Sequence, residues 1–501
     1  MITKLFFILI SNLLLCNLQF SQNITNTLGI NGTFTIKNGS TNYLNLSQST
    51  GQVNILKTLR LENTINSTTG VIFKGVDKFI HNYYPGTSYN TFMGINTGNF
   101  TLSTANYNTG VGSNSLSNLI SGSGNTALGY ESLLNNTTGY ENSAFGVGSL
   151  YSNIDGFHNS AFGNWSLYAN TTGAYNSAFG FSSLYSNTDG WLNSAFGYSS
   201  LSSNTNGNEN SAFGYFSLSS NTTGSYNSAF GYESLTRSTT GERNSAFGYQ
   251  SLTNNTGERN SAFGYYSLGS NTTGVWNSAF GYQSLNLNTM GVVNSAFGYA
   301  SLNSNTTGSN NSAFGYLSLS SNTTGTNNTG IGYNAQVPSG TANNQVRIGN
   351  TSVTYAGVQV AWTITSDRRW KSNISNSNLG LSFINKLRPV TYTRNNDESG
   401  KTEYGVIAQE VEEVLKSEGV ENTGMLTVTD EGMYELRYND LIAPMIKAIQ
   451  ELKAENDKLK NNNDRLSAEV ESLRPISSKL AKLEQLVIEL SVAKNVSLKE
   501  K

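Results

Sequence analysis

The chain has 501 residues, room for two or three domains, and only 12% of them are charged, with a net charge of −2. That balance leaves no basic footprint for nucleic acid, and a single cysteine leaves no disulfide framework or thiolate metal site. So little charge would usually indicate disorder or a membrane protein, but Tyr and Phe recur here at even spacing, which points to a periodic folded array.

In chain order, residues 1–22 read as a secretory signal: Lys4 supplies the positive start, Leu5 to Leu15 the apolar stretch, and cleavage is expected near Ser21 or Gln22. The apolar run is short for a membrane span, so membrane association is expected only through an N-terminal anchor. The one cysteine, Cys16, falls inside this segment, but Leu13-Leu14-Leu15 lacks the small residue expected before a lipidated cysteine. Residues 23–107 are polar with short β-like runs such as Phe34-Thr35-Ile36 and Val71-Ile72-Phe73, and read as a cap or attachment region for the repeats.

Residues 108–345 repeat every seventeen residues in the pattern NSAFGY-x-SL-x-x-NTTG-x-x. One copy, between Asn244 and Asn260, is a residue short because NTTG has become NTG. Such a period specifies a stacked array in which each unit is stable only against its neighbours. Ser-Ala-Phe-Gly-Tyr reads as a strand, Ser-Leu as a second strand or corner, and Asn-Thr-Thr-Gly as a turn. Some thirteen coils would make a rod on the order of 60 Å long, with ladders of Asn, Phe and Leu. One unit offers only Ala, Phe and Leu as dependable core, which is thin for a free-standing rod. Three chains sharing an axis would pool these side chains, and a homotrimer is expected. The short word resembles the head repeats of trimeric autotransporter adhesins, which form a parallel β-roll, although the seventeen-residue length departs from them. Variable pairs after the turn, among them Ala174-Tyr175 and Val275-Trp276, are expected to point outward, as a spacer surface or a glycan-binding face. The acids Glu131, Asp155, Asp189, Glu233 and Glu258 are scattered, which argues against the paired carboxylates of a polysaccharide hydrolase.

Residues 346–365 form a junction, after which the composition turns charge-rich. Three blocks come next: SDRRWKSNI (Ser366 to Ile374), LSFINKLRPVTY (Leu381 to Tyr392), and YGVIAQEV (Tyr404 to Val411) with YNDLIAPMIKAI (Tyr438 to Ile449). In order and spacing they resemble the endosialidase-type intramolecular chaperone family, the autoproteolytic C-terminal domain of phage tailspikes, tail fibres and bacterial surface proteins. Trp370 stands where that family more often has leucine. The resemblance implies a self-cleaving serine peptidase acting only on its own chain, with Ser366 as nucleophile, Lys371 as base, and Thr365–Ser366 as the bond cut. The chemistry agrees: no histidine occurs after His158, so a Ser-His-Asp triad cannot be built here. A serine hydroxyl needs a base, and lysine serves only when neutral, a form that burial or neighbouring positive charge favours. Asp367 would orient Lys371 or Arg368, or simply solvate the turn. No cofactor or metal is called for.

Residues 441–501 carry heptads, with Ile442, Met445, Ile449, Leu452, Asn456, Leu459, Asn463, Leu466, Val470 and Leu473 at a and d. Pro475 is expected to end this helix, and Leu480, Leu483, Val487 and Leu490 to form a second short one. The fold expected is therefore mainly β: a trimeric parallel β-roll or β-solenoid rod, then a small α+β chaperone domain over residues 366–440, then a coiled coil. The function expected is an exported fibre or adhesin-like protein whose C-terminal domain directs trimer assembly and then releases itself. The alternative is a phage-type receptor-binding tail fibre, or a glycan-binding adhesin, whose chaperone domain does not cut.

Overall fold

The computed structural model describes residues 33–38, 41–47, 52–55, 61, 63–83 and 89–497. The segment expected to be a secretory signal, its expected cleavage position and Cys16 lie outside the described residues. Strands β1 (Thr33–Asn38), β2 (Thr41–Ser47) and β3 (Gln52–Ile55) form a small antiparallel sheet. A hairpin of β4 (Ile72–Lys74) and β5 (Asp77–His81) comes next, and β5 lies antiparallel against β6 (Thr91–Met93), over the first coil of the rod. His81 is buried there, its Nε2 2.7 Å from the Thr97 carbonyl and its ring against Phe92 and Phe100.

The rod is a β-solenoid. From β6 onward each strand pairs in parallel with its equivalent in the next coil, through β7 (Thr109–Val111) and on to β21 (Val346–Ile348). Register is kept word for word: Ser160, Ala161 and Phe162 face Ser177, Ala178 and Phe179. Stacking begins one coil before the first degenerate word at Asn108.

The core closes within one chain, and its composition differs from the expected one. In each Ser-Ala-Phe strand the alternation of side chains turns Ala inward and Phe outward. Ala and the Leu of Ser-Leu are fully buried along the rod, whereas Phe297 and Phe314 are 36% and 43% exposed. Two buried asparagines in most coils complete the interior. Asn210 shows the pattern of the first ladder: its backbone N–H and Nδ2 both donate to Asn193 Oδ1, at 3.0 and 3.1 Å, and Nδ2 also donates to the Gly224 carbonyl at 2.9 Å. Its own Oδ1 serves Asn227 in the same way. Along this first ladder each coil thus satisfies its neighbour's buried amide, which an apolar filling could not do. The premise that three chains must pool their cores is not met; the interior is small, but polar ladders complete it inside a single chain.

The corners are tight. Leu201, Leu218 and Leu235 all have φ near +52°, as do residues just before the first asparagine, such as Glu209. At Gly214 (φ +131°) a Cβ would lie 2.5 Å from the Gly231 carbonyl oxygen, so only glycine lets adjacent coils approach this closely.

The second asparagine ladder has one gap. Asn204 Nδ2 donates to Asn187 Oδ1 and Asn221 Nδ2 to Asn204 Oδ1, both at 2.8 Å. The next coil carries Ser238, and both Asn221 Oδ1 and Ser238 Oγ are buried without a partner. Ser238→Asn should restore the ladder from Asn221 to Asn255. A buried unsatisfied group costs about 1–3 kcal/mol, so the variant is expected to raise the thermal midpoint, read by circular dichroism. An unchanged or lower midpoint would mean that the neighbouring one-residue deletion has altered this corner.

After the rod come α1 (Leu381–Lys386), a hairpin of β22 (Val390–Tyr392) and β23 (Glu403–Gly405), α2 (Ala408–Ser417), and a hairpin of β24 (Leu426–Val428) and β25 (Tyr434–Leu436). Leu379, Phe383, Val411, Leu415, Met425 and Leu441 form their small core. Helix α3 (Ile442–Ser497) then runs unbroken for 56 residues. Pro475 does not end it. Proline removes one hydrogen bond and crowds the Glu471 carbonyl, but on an exposed helix that carbonyl is left to water and the helix continues. The apolar stripe continues through Ile476, Leu480, Leu483, Val487 and Leu490, but two three-residue steps, Val470 to Leu473 to Ile476, shift the heptads beside the proline.

Candidate functional site

The sequence Asp367 to Lys371 folds as one 3-10 turn, Arg368–Trp370. Asp367 caps it, with Oδ1 accepting from Arg369 N at 2.8 Å. The same carboxylate grips the Arg369 guanidinium, with Nε donating at 3.1 Å and Nη2 at 2.7 Å. The Arg369 side chain, and then its backbone N–H, hold the Asp367 carboxyl below the usual carboxylate range. Asp367 therefore builds the turn; its hydrogen bonds go to Arg369 rather than to Lys371 or Arg368.

The turn folds the chain back so that the residues on either side of it meet. Lys371 Nζ donates to Ser366 Oγ at 2.6 Å. The five-residue spacing of serine and lysine thus becomes a direct contact, next to the Thr365–Ser366 bond. Both side chains are exposed, as are Thr365 and Trp370. In a single chain the pair is open to solvent.

Further contacts tie this segment to its surroundings. Glu451 on α3 accepts from Leu381 N at 2.7 Å, capping α1, and Lys447 Nζ donates to the Ser377 carbonyl at 2.7 Å. The β24–β25 hairpin meets the last coil of the rod. Asp430 N donates to the Pro338 carbonyl at 2.8 Å, Gly340 N donates to Asp430 Oδ2 at 3.1 Å, and Arg347 pairs with Glu435. These end contacts have no signature in the sequence, because none of the residues belongs to a motif.

Beyond its first turns α3 is bare. Its apolar a and d residues from Ile442 to Leu473 are between 49% and 65% exposed. Among the described residues no helix is long and apolar enough to cross a membrane, and no cluster of His, Cys, Asp or Glu could hold a metal.

The outer surface of the rod carries aromatic ladders. Phe196, Phe213 and Phe230 stack at 4.6 Å with 5–6° between ring planes, and Tyr232, Tyr249 and Tyr265 at about 5 Å. The rings cover one another's faces and offer edges outward, so these ladders are poor platforms for sugars. At the variable positions Tyr175 stacks on His158, and Arg259 sits 4.7 Å over Trp276.

Residues 366–420 match the family model described as chaperone of endosialidase, a peptidase family. The matched segment starts at Ser366 and contains the first two sequence blocks and Tyr404 to Val411 of the third. No curated protein and no solved structure matches the chain.

Proposed function

We propose that the chain is an exported homotrimeric fibre protein whose C-terminal domain guides assembly and then releases itself by cutting Thr365–Ser366. The observation that carries this reading is the 2.6 Å contact between Lys371 Nζ and Ser366 Oγ, at the first residue of the chaperone-family segment and between a closed rod and a bare heptad helix.

The chemistry needs only groups already present. Neutral Lys371 takes the Ser366 hydroxyl proton, and Oγ adds to the Thr365 carbonyl carbon. The Thr365–Ser366 C–N bond breaks and the proton passes to the freed amino nitrogen. Water then hydrolyses the ester, leaving the Thr365 carboxylate and an intact Ser366. Lys371 becomes a competent base once partner chains bury it, so cutting follows assembly. The exposed heptads need partner helices; β-branched a and Leu d positions by themselves favour two strands, and it is the chaperone family together with a fibre-like rod that supports three. Export and a cell-surface or secreted location rest on the reading of residues 1–22.

A binding role for the rod, with a non-cutting chaperone domain, is the second reading. It is favoured by a polar groove beside the short coil, lined by Glu233, Arg237, Gln250, Asn254 and Tyr266. Such a groove could hold a glycan through hydrogen bonds.

Intact mass and sedimentation of purified protein test the main reading. The wild-type chain should yield two fragments meeting at Thr365–Ser366, and the Ser366→Ala chain one uncut species of three copies. A wild-type chain that stays whole would leave the non-cutting alternative. A monomeric Ser366→Ala chain at micromolar concentration would sink the trimer.

A further inference from the structure

Cutting at Thr365 removes α3, and with it the element that most plainly requires partners. The rod left behind has closed its core within each chain. Whatever holds the mature rods together must therefore lie before Ser366, and the segment just upstream has the required character.

Residues 358–364 read Val-Gln-Val-Ala-Trp-Thr-Ile. In an extended chain the alternation would put Val358, Val360, Trp362 and Ile364 on one face, and β-branched and aromatic residues favour that conformation; in the single chain the backbone bends at Gln359 and Val360 and is not yet a strand. All four are exposed, by 58%, 79%, 74% and 69%. Among the described residues, no hydrogen bond engages the backbone of residues 354–364. An apolar strand with free backbone groups invites pairing with another chain. No charged residue lies between Arg347 and Asp367, so identical strands can meet without like-charge repulsion. A parallel bundle of α3 helices would bring the same residue numbers of each copy to one axis.

We infer that Val358–Ile364 is an inter-chain clasp: the segments of the copies pack face to face around the shared axis, bury Val360 and Trp362 between them, and keep the rods joined by their C-terminal ends after the chaperone domain has left. This rests on the proposed trimer and cut, and identifies what replaces α3. Burial of that strand beside Thr365 would also bring partner chains close to Lys371.

Two measurements test it. In the uncut Ser366→Ala chain, Trp362→Cys should form disulfide-linked pairs on mild oxidation, whereas Thr363→Cys, on the opposite face, should not. A chain that sediments as a trimer but gives no link from position 362, or equal links from both positions, overturns the clasp alone; a chain that sediments as a monomer overturns the trimer and the clasp together. In the self-cutting chain, the double change Val360→Ser and Trp362→Ser should leave released rods that dissociate to monomers at micromolar concentration, while wild-type rods stay trimeric. A released double-variant rod that remains a trimer also overturns it.

Discussion

Lys371→Ala should give a chain that folds and assembles but cuts at least roughly 10²-fold more slowly, within the 10²- to 10⁴-fold span of general-base catalysis. The Asp367–Arg369 contacts that form the turn do not involve the lysine side chain, so Ser366 should keep its place when Lys371 is truncated. What is lost is the group 2.6 Å from Oγ that the proposed mechanism uses to take the proton. Ser366→Ala should be inert by the same assay and should sediment, like Lys371→Ala, as an uncut trimer. The pH dependence has a fixed sign. A lysine base works only when neutral, so cutting of the assembled wild-type chain should rise with pH and fall as pH drops. Incubating trimers from pH 6 to 9 and following the fragments by gel would show it. Unaltered cutting by Lys371→Ala, or a rate that falls as pH rises, would remove the lysine from the mechanism. Asp367→Ala discriminates further, because its carboxylate shapes the turn without touching the pair. Slower cutting with the same pH profile is expected.

Much of this arrangement is legible in the sequence. The seventeen-residue word fixes the stacking, because each strand meets its copy in register. The serine and lysine of SDRRWK meet because three residues form one turn between them. The heptads of α3 are visible and, as expected, lack partners within the chain. The face of Phe is not legible. A Ser-Ala-Phe strand satisfies alternation with either side inward, and composition favours burying the largest apolar ring. The buried asparagine ladders decide otherwise, since their hydrogen bonds pass between coils and appear in no single repeat. Pro475 misleads for a related reason. It penalises a helix but does not forbid one when the freed carbonyl faces water. The Val358–Ile364 alternation is present in the sequence but reads only as part of a junction, because a single short strand carries little weight beside a repeated one.

Residues 23–365 produced without the C-terminal domain should misassemble, whereas the same residues released from the full chain should stay soluble and resist heat. A solenoid exposes strand edges at both ends, and an uncovered end coil is a template for any other coil. Near-identical words make the hazard acute, because a coil from another chain restores nearly every contact. At one end β5 lies against the first coil. At the other, the β24–β25 hairpin meets the last coil through Asp430, Pro338 and Gly340, and through Arg347 and Glu435. On the proposed function, the C-terminal domain would cover the open end while the coils stack, and its helix would gather the copies. Once stacked, the rod unfolds slowly and no longer needs the guide. Asp430→Ala, which removes the Gly340-to-carboxylate hydrogen bond and leaves the Arg347–Glu435 pair, should lower the yield of soluble rod less than full truncation does, with cutting of the assembled fraction unchanged. Yield after refolding, read by sedimentation and protease resistance, ranks the three chains. If residues 23–365 alone refold to the same species in the same yield, the end coil needs no guide and the chaperone role is lost.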